Sequence, residues 1–155
     1  MSFINIITFY QNIIDYYNIP IVYWITIWLI LLTKSWILLI VFVIGFLINK
    51  KINIWLKNYF KQPLPDKETE TETEEYGMPS AHSQEIWFTF IFVFYTFSNT
   101  YIKILYGLLA LYVSYKCLKY HTNMQILVGA MVGIMISSGI VKILNKFISK
   151  TPMKT

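Results

Sequence analysis

The chain has 155 residues, of which 56% are hydrophobic, 18% aromatic and only 14% charged. A soluble domain of this length carries about a quarter charged residues, so the composition excludes an ordinary soluble globule and indicates a single integral membrane domain, residues 1–155. The net charge of +5 comes from thirteen lysines, and the chain has no arginine. No basic patch with interleaved aromatic residues lies outside the hydrophobic stretches, which argues against nucleic acid and favours membrane lipids or phosphorylated substrates as partners.

The N-terminal part predicts an amphipathic segment and two spans. Residues 1–18 are expected to lie in the membrane interface or to extend the first span. The apolar runs 19–33 and 35–49 predict two spans with a tight junction at Lys34. Aromatic residues crowd the ends of the spans, as is typical of the interface.

The segment 50–84 is predicted to be a loop on one membrane face, which we call the site face. Its acidic low-complexity part, 66–77, alternates Glu with Thr. Such a charged run cannot lie in hydrocarbon, and its simplest interpretation is a solvated loop.

Three further spans are predicted at 86–97, 101–115 and 124–144, with a hairpin turn at residues 98–100. The third reaches the roughly 20 residues that a bilayer needs only if its helix begins near Met78. Gly129 and Gly133 form a small-xxx-small pattern suited to close helix packing. The predicted fold class is therefore all-α, a multi-pass transmembrane bundle of about five spans.

Counting the crossings places both histidines, His82 and His121, on the site face, each near the start of a helix. For His82 two interpretations stay open: a simple helix start with Ser80 or Ser83 as N-cap, or a phosphate site built from Ser80, His82 and free backbone N–H groups. His121 is alternatively an interfacial histidine at a helix end. The one cysteine, Cys117, excludes an internal disulfide and is expected to be buried at a helix end.

Three segments of the site face are considered together. They read LKNYFKQPLP (56–65), YGMPSAHSQ (76–84) and VSYKCLKYHTNMQ (113–125). Together they resemble the signature motifs of the type 2 phosphatidic acid phosphatase superfamily, K-x6-R-P, P-S-G-H and S-R-x5-H-x3-D. The spelling is most similar to that of the dolichyl-diphosphate phosphatases, which have Gln in place of the final Asp. The matching residues are Lys57, Pro65, Pro79, Ser80, His82, Ser114, His121 and Gln125. Leu64 and Tyr115 stand where the superfamily has arginine, and Ala81 replaces the Gly of the second motif.

The resemblance implies a haloperoxidase-like helical fold and a metal-independent phosphatase without a cofactor. His121 would attack phosphorus to form a phosphohistidine, Gln125 would orient it, and His82 would protonate the leaving oxygen. The phosphate oxygens would be held by Lys57, Ser80 and Ser114, with Lys61, Lys116 and Lys119 near the positions of the missing arginines.

The implied substrate is a lipid phosphate or diphosphate, with a dolichyl or polyprenyl diphosphate first and phosphatidic acid second. The resemblance also implies an endoplasmic-reticulum-type membrane with a lumenal site, although lysines are balanced between the two faces and do not orient the chain. Because lysine does not replace arginine at a bidentate phosphate site, the alternative is a catalytically degenerate member that binds lipid phosphate or serves a structural role.

Overall fold

A computed structural model describes residues 21–65 and 76–150, with side chains as far as residue 146. These residues form five helices and no strand: α1 (Ile21–Leu32), α2 (Trp36–Phe60), α3 (Ala81–Thr96), α4 (Thr100–Cys117) and α5 (Asn123–Lys150). The predicted all-α class is confirmed. The predicted interfacial segment 1–18 and most of the acidic run 66–77 lie outside the described residues.

Short junctions join the helices where the sequence predicts them. Between α1 and α2, Lys34 adopts a left-handed conformation with φ 56°, and the Ser35 side chain caps α2 by accepting from the Leu38 N–H at 3.4 Å. Between α3 and α4, the Asn99 side chain accepts from the N–H groups of Tyr101 and Ile102. Both junctions are tight enough to place consecutive helices side by side.

The predicted loop 50–84 begins eleven residues too early, because α2 continues to Phe60. Lys50 and Lys51 are exposed on the surface of α2, so their charges lie on the outside of the helix and do not mark its end. The helix stops at Lys61, whose left-handed backbone (φ 48°) lets its N–H donate to the Lys57 carbonyl at 2.9 Å. Pro63 follows and prevents the helix from resuming.

Helix α3 is the centre of the bundle and packs against α2, α4 and α5. Its closest neighbour is α5, where Gly129 and Gly133 face the α3 backbone. A Cβ atom at Gly129 would lie 2.6 Å from the Ser80 carbonyl oxygen, and one at Gly133 would lie closer still to the carbonyl oxygen of Gln84. The predicted close-packing role of this pair is confirmed, since only glycine permits such backbone contact.

Apolar side chains of α3 contribute to two cores. One, with Phe88 and Phe92, packs on Phe42 of α2, where the Phe42 and Phe92 ring centroids are 5.0 Å apart. The other, with Ile86 and Val93, packs on α4. The two faces of α3 are thus fixed by different helices, which determines the rotation of its N-terminal residues.

Large apolar side chains cover the outside of the bundle. Trp24, Trp28, Trp36 and Trp55 are each at least 60% exposed. Among the described helices, α2 and the Asn123–Lys146 part of α5 are long and apolar enough to cross a bilayer. A surface this apolar requires lipid contact, and the chain is a membrane protein.

Candidate active site

The three motif segments meet at one end of the bundle, opposite the α3–α4 turn. The Gly77 N–H donates to the Gln62 carbonyl at 2.8 Å, which joins the first motif to the second. The Ser80 N–H donates to the Gln125 carbonyl at 3.0 Å, and the Gln125 side-chain Nε2 donates to the Pro63 carbonyl at 3.1 Å. Backbone and side-chain hydrogen bonds therefore tie all three segments together.

Both histidines lie at this end, as predicted from the crossing count. His121 lies two residues before α5 begins, and His82 is the second residue of α3. The starts of these two helices are joined, because the Ser83 hydroxyl donates to the Ile126 carbonyl at 2.8 Å. His121 is buried, with 8% of its surface exposed, whereas His82 is exposed. The two imidazoles thus have different environments at one end of the molecule.

Gln125 is the hydrogen-bond partner that orients His121. Its Oε1 lies 3.3 Å from the His121 Nδ1 and also accepts from the Thr122 N–H at 3.1 Å. Because the amide Nε2 is directed at the Pro63 carbonyl, an acceptor, the amide cannot be flipped without losing two hydrogen bonds.

This orientation of the amide determines the tautomer of His121. An oxygen that can only accept faces Nδ1, so Nδ1 carries a proton, and in the neutral imidazole the lone pair lies on Nε2. A histidine in this tautomer can act as a nucleophile through Nε2. Gly77 lies directly against the Gln125 amide, where a Cβ would be 2.7 Å from Nε2. The glycine is therefore required for Gln125 to sit in this position.

Ser80 lies at the N-cap position of α3 and is completely buried. Its hydroxyl does not cap the helix. The hydroxyl interacts with the Cys117 thiol, and it has no oxygen or nitrogen partner among the described residues. The first turn of a helix presents N–H groups that lack intrahelical partners and carry partial positive charge. This end of α3 therefore suits an anion, with His82 beside it. Cys117 is the last residue of α4 and is buried, as predicted.

Lys57 is the half-buried cation of the last turn of α2. Lys61 is exposed just beyond that turn. Lys116 extends its Nζ over the Tyr112 ring, 6.0 Å from the centroid, and the Lys119 Nζ lies 4.9 Å from the centroid of Tyr120. The last two lysines thus lie over aromatic rings near the end of α4.

The two positions that lack arginine have opposite surroundings. Leu64 is buried, with 9% of its surface exposed, whereas Tyr115 on α4 is 70% exposed. Leu64 follows Pro63, whose carbonyl accepts from the Gln125 side chain. An arginine at residue 64 would begin from a buried position, and one at residue 115 would begin from the surface of α4.

Ser114 uses its hydroxyl within the bundle. The hydroxyl donates to the Ala110 carbonyl at 2.8 Å and accepts from the Trp87 indole N–H at 3.0 Å. A hydroxyl has one proton, so Ser114 must release Ala110 before it can donate to a phosphate. Its place as a phosphate ligand stays a prediction.

A buried amide network was not predicted from the sequence. Asn49 and Asn53 of α2 bind Gln84 of α3, and Asn53 also binds the carbonyl of Pro79, the residue before Ser80. The spacing of Asn49, Asn53 and Lys57, four residues each, places all three on one face of α2. That spacing was the available signal, because two buried amides on an apolar helix are unusual.

A comparison with protein families matches residues 34–149 to the PAP2 superfamily, the type 2 phosphatidic acid phosphatases. The match covers all three motifs and most of the chain. The chain belongs to the PAP2 superfamily.

The curated PAP2 proteins that match include dolichyldiphosphatase 1 of Homo sapiens, Callithrix jacchus and Plecturocebus moloch. Each is 34% identical over 108 residues, which cover 57% of this chain and 45% of the relative. The chain thus matches about half the length of these relatives. The likeness agrees with the spelling of the second and third motifs. No solved structure matches the chain.

Proposed function

We propose that the chain is a membrane phosphatase that hydrolyses a lipid-linked phosphate or diphosphate through a phosphohistidine. The observation that carries the proposal is the hydrogen-bonded unit of His121, Gln125 and the Pro63 carbonyl, in which the His121 Nδ1 donates to Gln125 and Nε2 is the atom able to act as nucleophile in the neutral imidazole. A merely structural histidine at a helix end needs no such defined tautomer.

In the first step, the His121 Nε2 attacks phosphorus, the P–N bond forms, and the bond to the lipid-side oxygen breaks. His82 gives its proton to that leaving oxygen. In the second step, His82 takes a proton from water, the water oxygen attacks phosphorus, and the P–N bond breaks to release phosphate. The exposed position of His82 supports this role, because it must reach both the lipid and water.

The phosphate oxygens are held by cations and N–H groups at the same end of the bundle. Lys57 and the start of α3, with the buried Ser80, supply the main contacts in this proposal, and Ser114, Lys61 and Lys116 are further candidates. Phosphoryl transfer depends mainly on such positioning and charge stabilisation.

A dolichyl or polyprenyl diphosphate is the proposed substrate, and phosphatidic acid is the second candidate. The likeness to dolichyldiphosphatase 1 supports the first choice. The proposed setting is a multi-pass arrangement in an endoplasmic-reticulum-type membrane. With both histidines at one end of the bundle, the active site would lie at one membrane surface, where a lipid headgroup is accessible.

A catalytically degenerate lipid-phosphate binder is the second candidate function. The buried Leu64 favours this candidate. Residue 64 follows Pro63, whose carbonyl accepts from Gln125, and it carries no cation there. Arginine binds phosphate through two oriented donors, and loss of both arginines weakens transition-state binding more than ground-state binding.

Phosphate release from detergent-purified protein distinguishes the two candidates. The test uses dolichyl diphosphate and phosphatidic acid, with wild type, His121→Ala and the matched control Met124→Ala, whose side chain is 59% exposed on α5. If the protein is an enzyme, wild type and Met124→Ala release phosphate and His121→Ala does not. The rate of release by His82→Ala is then lower than that of wild type by a factor of about 10²–10⁴. Release that survives His121→Ala, or is absent from wild type, contradicts the proposed mechanism.

A further inference from the structure

The amides of Asn49, Asn53 and Gln84 form a buried hydrogen-bond network between α2 and α3. The Asn53 Nδ2 donates to the Gln84 Oε1 at 2.8 Å and to the Pro79 carbonyl at 3.3 Å. The Gln84 Nε2 donates to the carbonyl and the Oδ1 of Asn49, both at 2.9 Å. All three side chains are at least 96% buried.

The network is a costly way to hold two helices together. The Asn49 Nδ2 is buried without a hydrogen-bond partner in the described part of the chain, and apolar side chains of the same volume would avoid that loss. Directional hydrogen bonds do provide something that apolar packing does not, because they define a single axial register between two helices.

The proposed phosphate site requires a fixed axial register between α2 and α3. Lys57 lies on the same face of α2 as Asn53, one turn further along, and Ser80 directly follows the carbonyl that Asn53 holds. His82 lies between that carbonyl and Gln84. The network therefore binds the chain before and after His82, at Pro79 and Gln84, and holds this segment against α2, the helix that carries Lys57.

We propose that Asn53 and Gln84 are positioning residues that set the register of Lys57 against Ser80 and His82. The inference rests on the proposed function for its catalytic consequence, but the register itself is measurable without activity. Neither amide touches the substrate in this proposal. They act by keeping the cation of α2 and the acid of α3 at one phosphate.

The test replaces all three amides with apolar side chains of similar volume, Asn49→Leu and Asn53→Leu with Gln84→Met, which we call the apolar variant. Removing both sides of the hydrogen bonds limits the number of orphaned polar groups, so the bundle is expected to stay folded. Tyr106→Phe is the matched control, since it removes a buried interhelical hydrogen bond, between the hydroxyl groups of Tyr106 and Thr26 at 2.7 Å, away from the site.

The expected result has three parts: kcat falls at least tenfold, vanadate inhibits less strongly, and the melting temperature stays within a few degrees of that of Tyr106→Phe.

Register is measured separately by the distance between spin labels at Tyr59→Cys on α2 and Tyr95→Cys on α3, both exposed, in a Cys117→Ala background. The apolar variant is expected to broaden or shift that distance distribution, and Tyr106→Phe is not.

An unchanged distance distribution overturns the inference, whether or not the protein is an enzyme. Unchanged kcat and vanadate inhibition in a folded apolar variant overturn it equally. A wild type with no activity would instead refute the proposed function, and the spin-label distances would still decide whether the network sets the register.

Discussion

Gln125 shows at the scale of one residue how a substitution within a motif keeps its chemistry. Where the superfamily pattern has a carboxylate, this chain has an amide whose oxygen still faces the His121 Nδ1 and whose nitrogen is held by the Pro63 carbonyl. A carboxylate would turn one oxygen towards that carbonyl. The Gln and the Pro63 carbonyl are therefore suited to each other.

Substitution of Gln125 should reduce turnover according to what remains to accept from Nδ1. Gln125→Met removes the acceptor, and we expect kcat to fall about tenfold, which corresponds to roughly one net hydrogen bond. Gln125→Glu keeps an acceptor and should retain more activity than Gln125→Met. Steady-state kinetics on the preferred lipid phosphate measures the difference, and equal activity of Gln125→Met and wild type would refute the orienting role.

Restoring the arginines should affect the two positions unequally. Leu64→Arg places a cation next to Pro63, whose carbonyl accepts from Gln125, and should raise kcat. The same substitution should lower the melting temperature, because residue 64 is buried. Vanadate should recover part of that lost stability. Tyr115→Arg begins from an exposed position and should change stability little. A Leu64→Arg protein that is less stable and no more active, even with vanadate, contradicts this account.

At the scale of the elements, the contact between α3 and α5 determines where the two histidines lie. Gly129 and Gly133 let the backbones touch, and the same contact aligns the starts of both helices. The sequence pattern predicted the close packing, and the bounds of α1 and α4 agree with their apolar runs to within two residues. Helices α3 and α5 are several residues longer than their runs, and α2 is longer still. That helix was predicted too short because Lys50 and Lys51 were interpreted as its end.

Gly133→Ala should separate α3 from α5, because the new Cβ would clash with the Gln84 carbonyl, a backbone atom that cannot turn aside. We expect a clear loss of thermal stability in detergent and of activity. Gly139→Ala is the matched control, since nothing lies within 4 Å of its Cβ position. The control should be neutral or gain up to about 1 kcal/mol from helix propensity. Equal melting temperatures for the two variants would contradict the packing argument.

The details of the site were less predictable than the helices for a physical reason. The motifs identify which residues meet, but the partners of Ser114, the Pro63 carbonyl and the amide network of Asn53 depend on contacts between residues as much as 62 positions apart. No local pattern encodes such contacts. The shared end of His82 and His121 was predictable, because it follows from counting helices.

At the scale of the whole molecule, the bundle predicts that its two ends lie on opposite membrane surfaces. Ser98→Cys, in the α3–α4 turn, and Asn123→Cys, at the start of α5, are both at exposed positions. In sealed proteoliposomes of uniform orientation, a membrane-impermeant maleimide should label one from outside and the other only after permeabilisation. Labelling of both from the same side would contradict the proposed multi-pass arrangement.

The proposed mechanism requires His121 to become phosphorylated during turnover, and this is tested by trapping the phosphoenzyme. Wild type is mixed with dolichyl diphosphate carrying labelled phosphate, quenched in base and digested, because phosphohistidine survives base and is lost in acid. The mechanism predicts acid-labile label on the peptide that contains His121, and none on His121→Ala. Phosphate release by wild type with no label on His121, or no release by wild type together with strong release after Leu64→Arg and Tyr115→Arg, would contradict it.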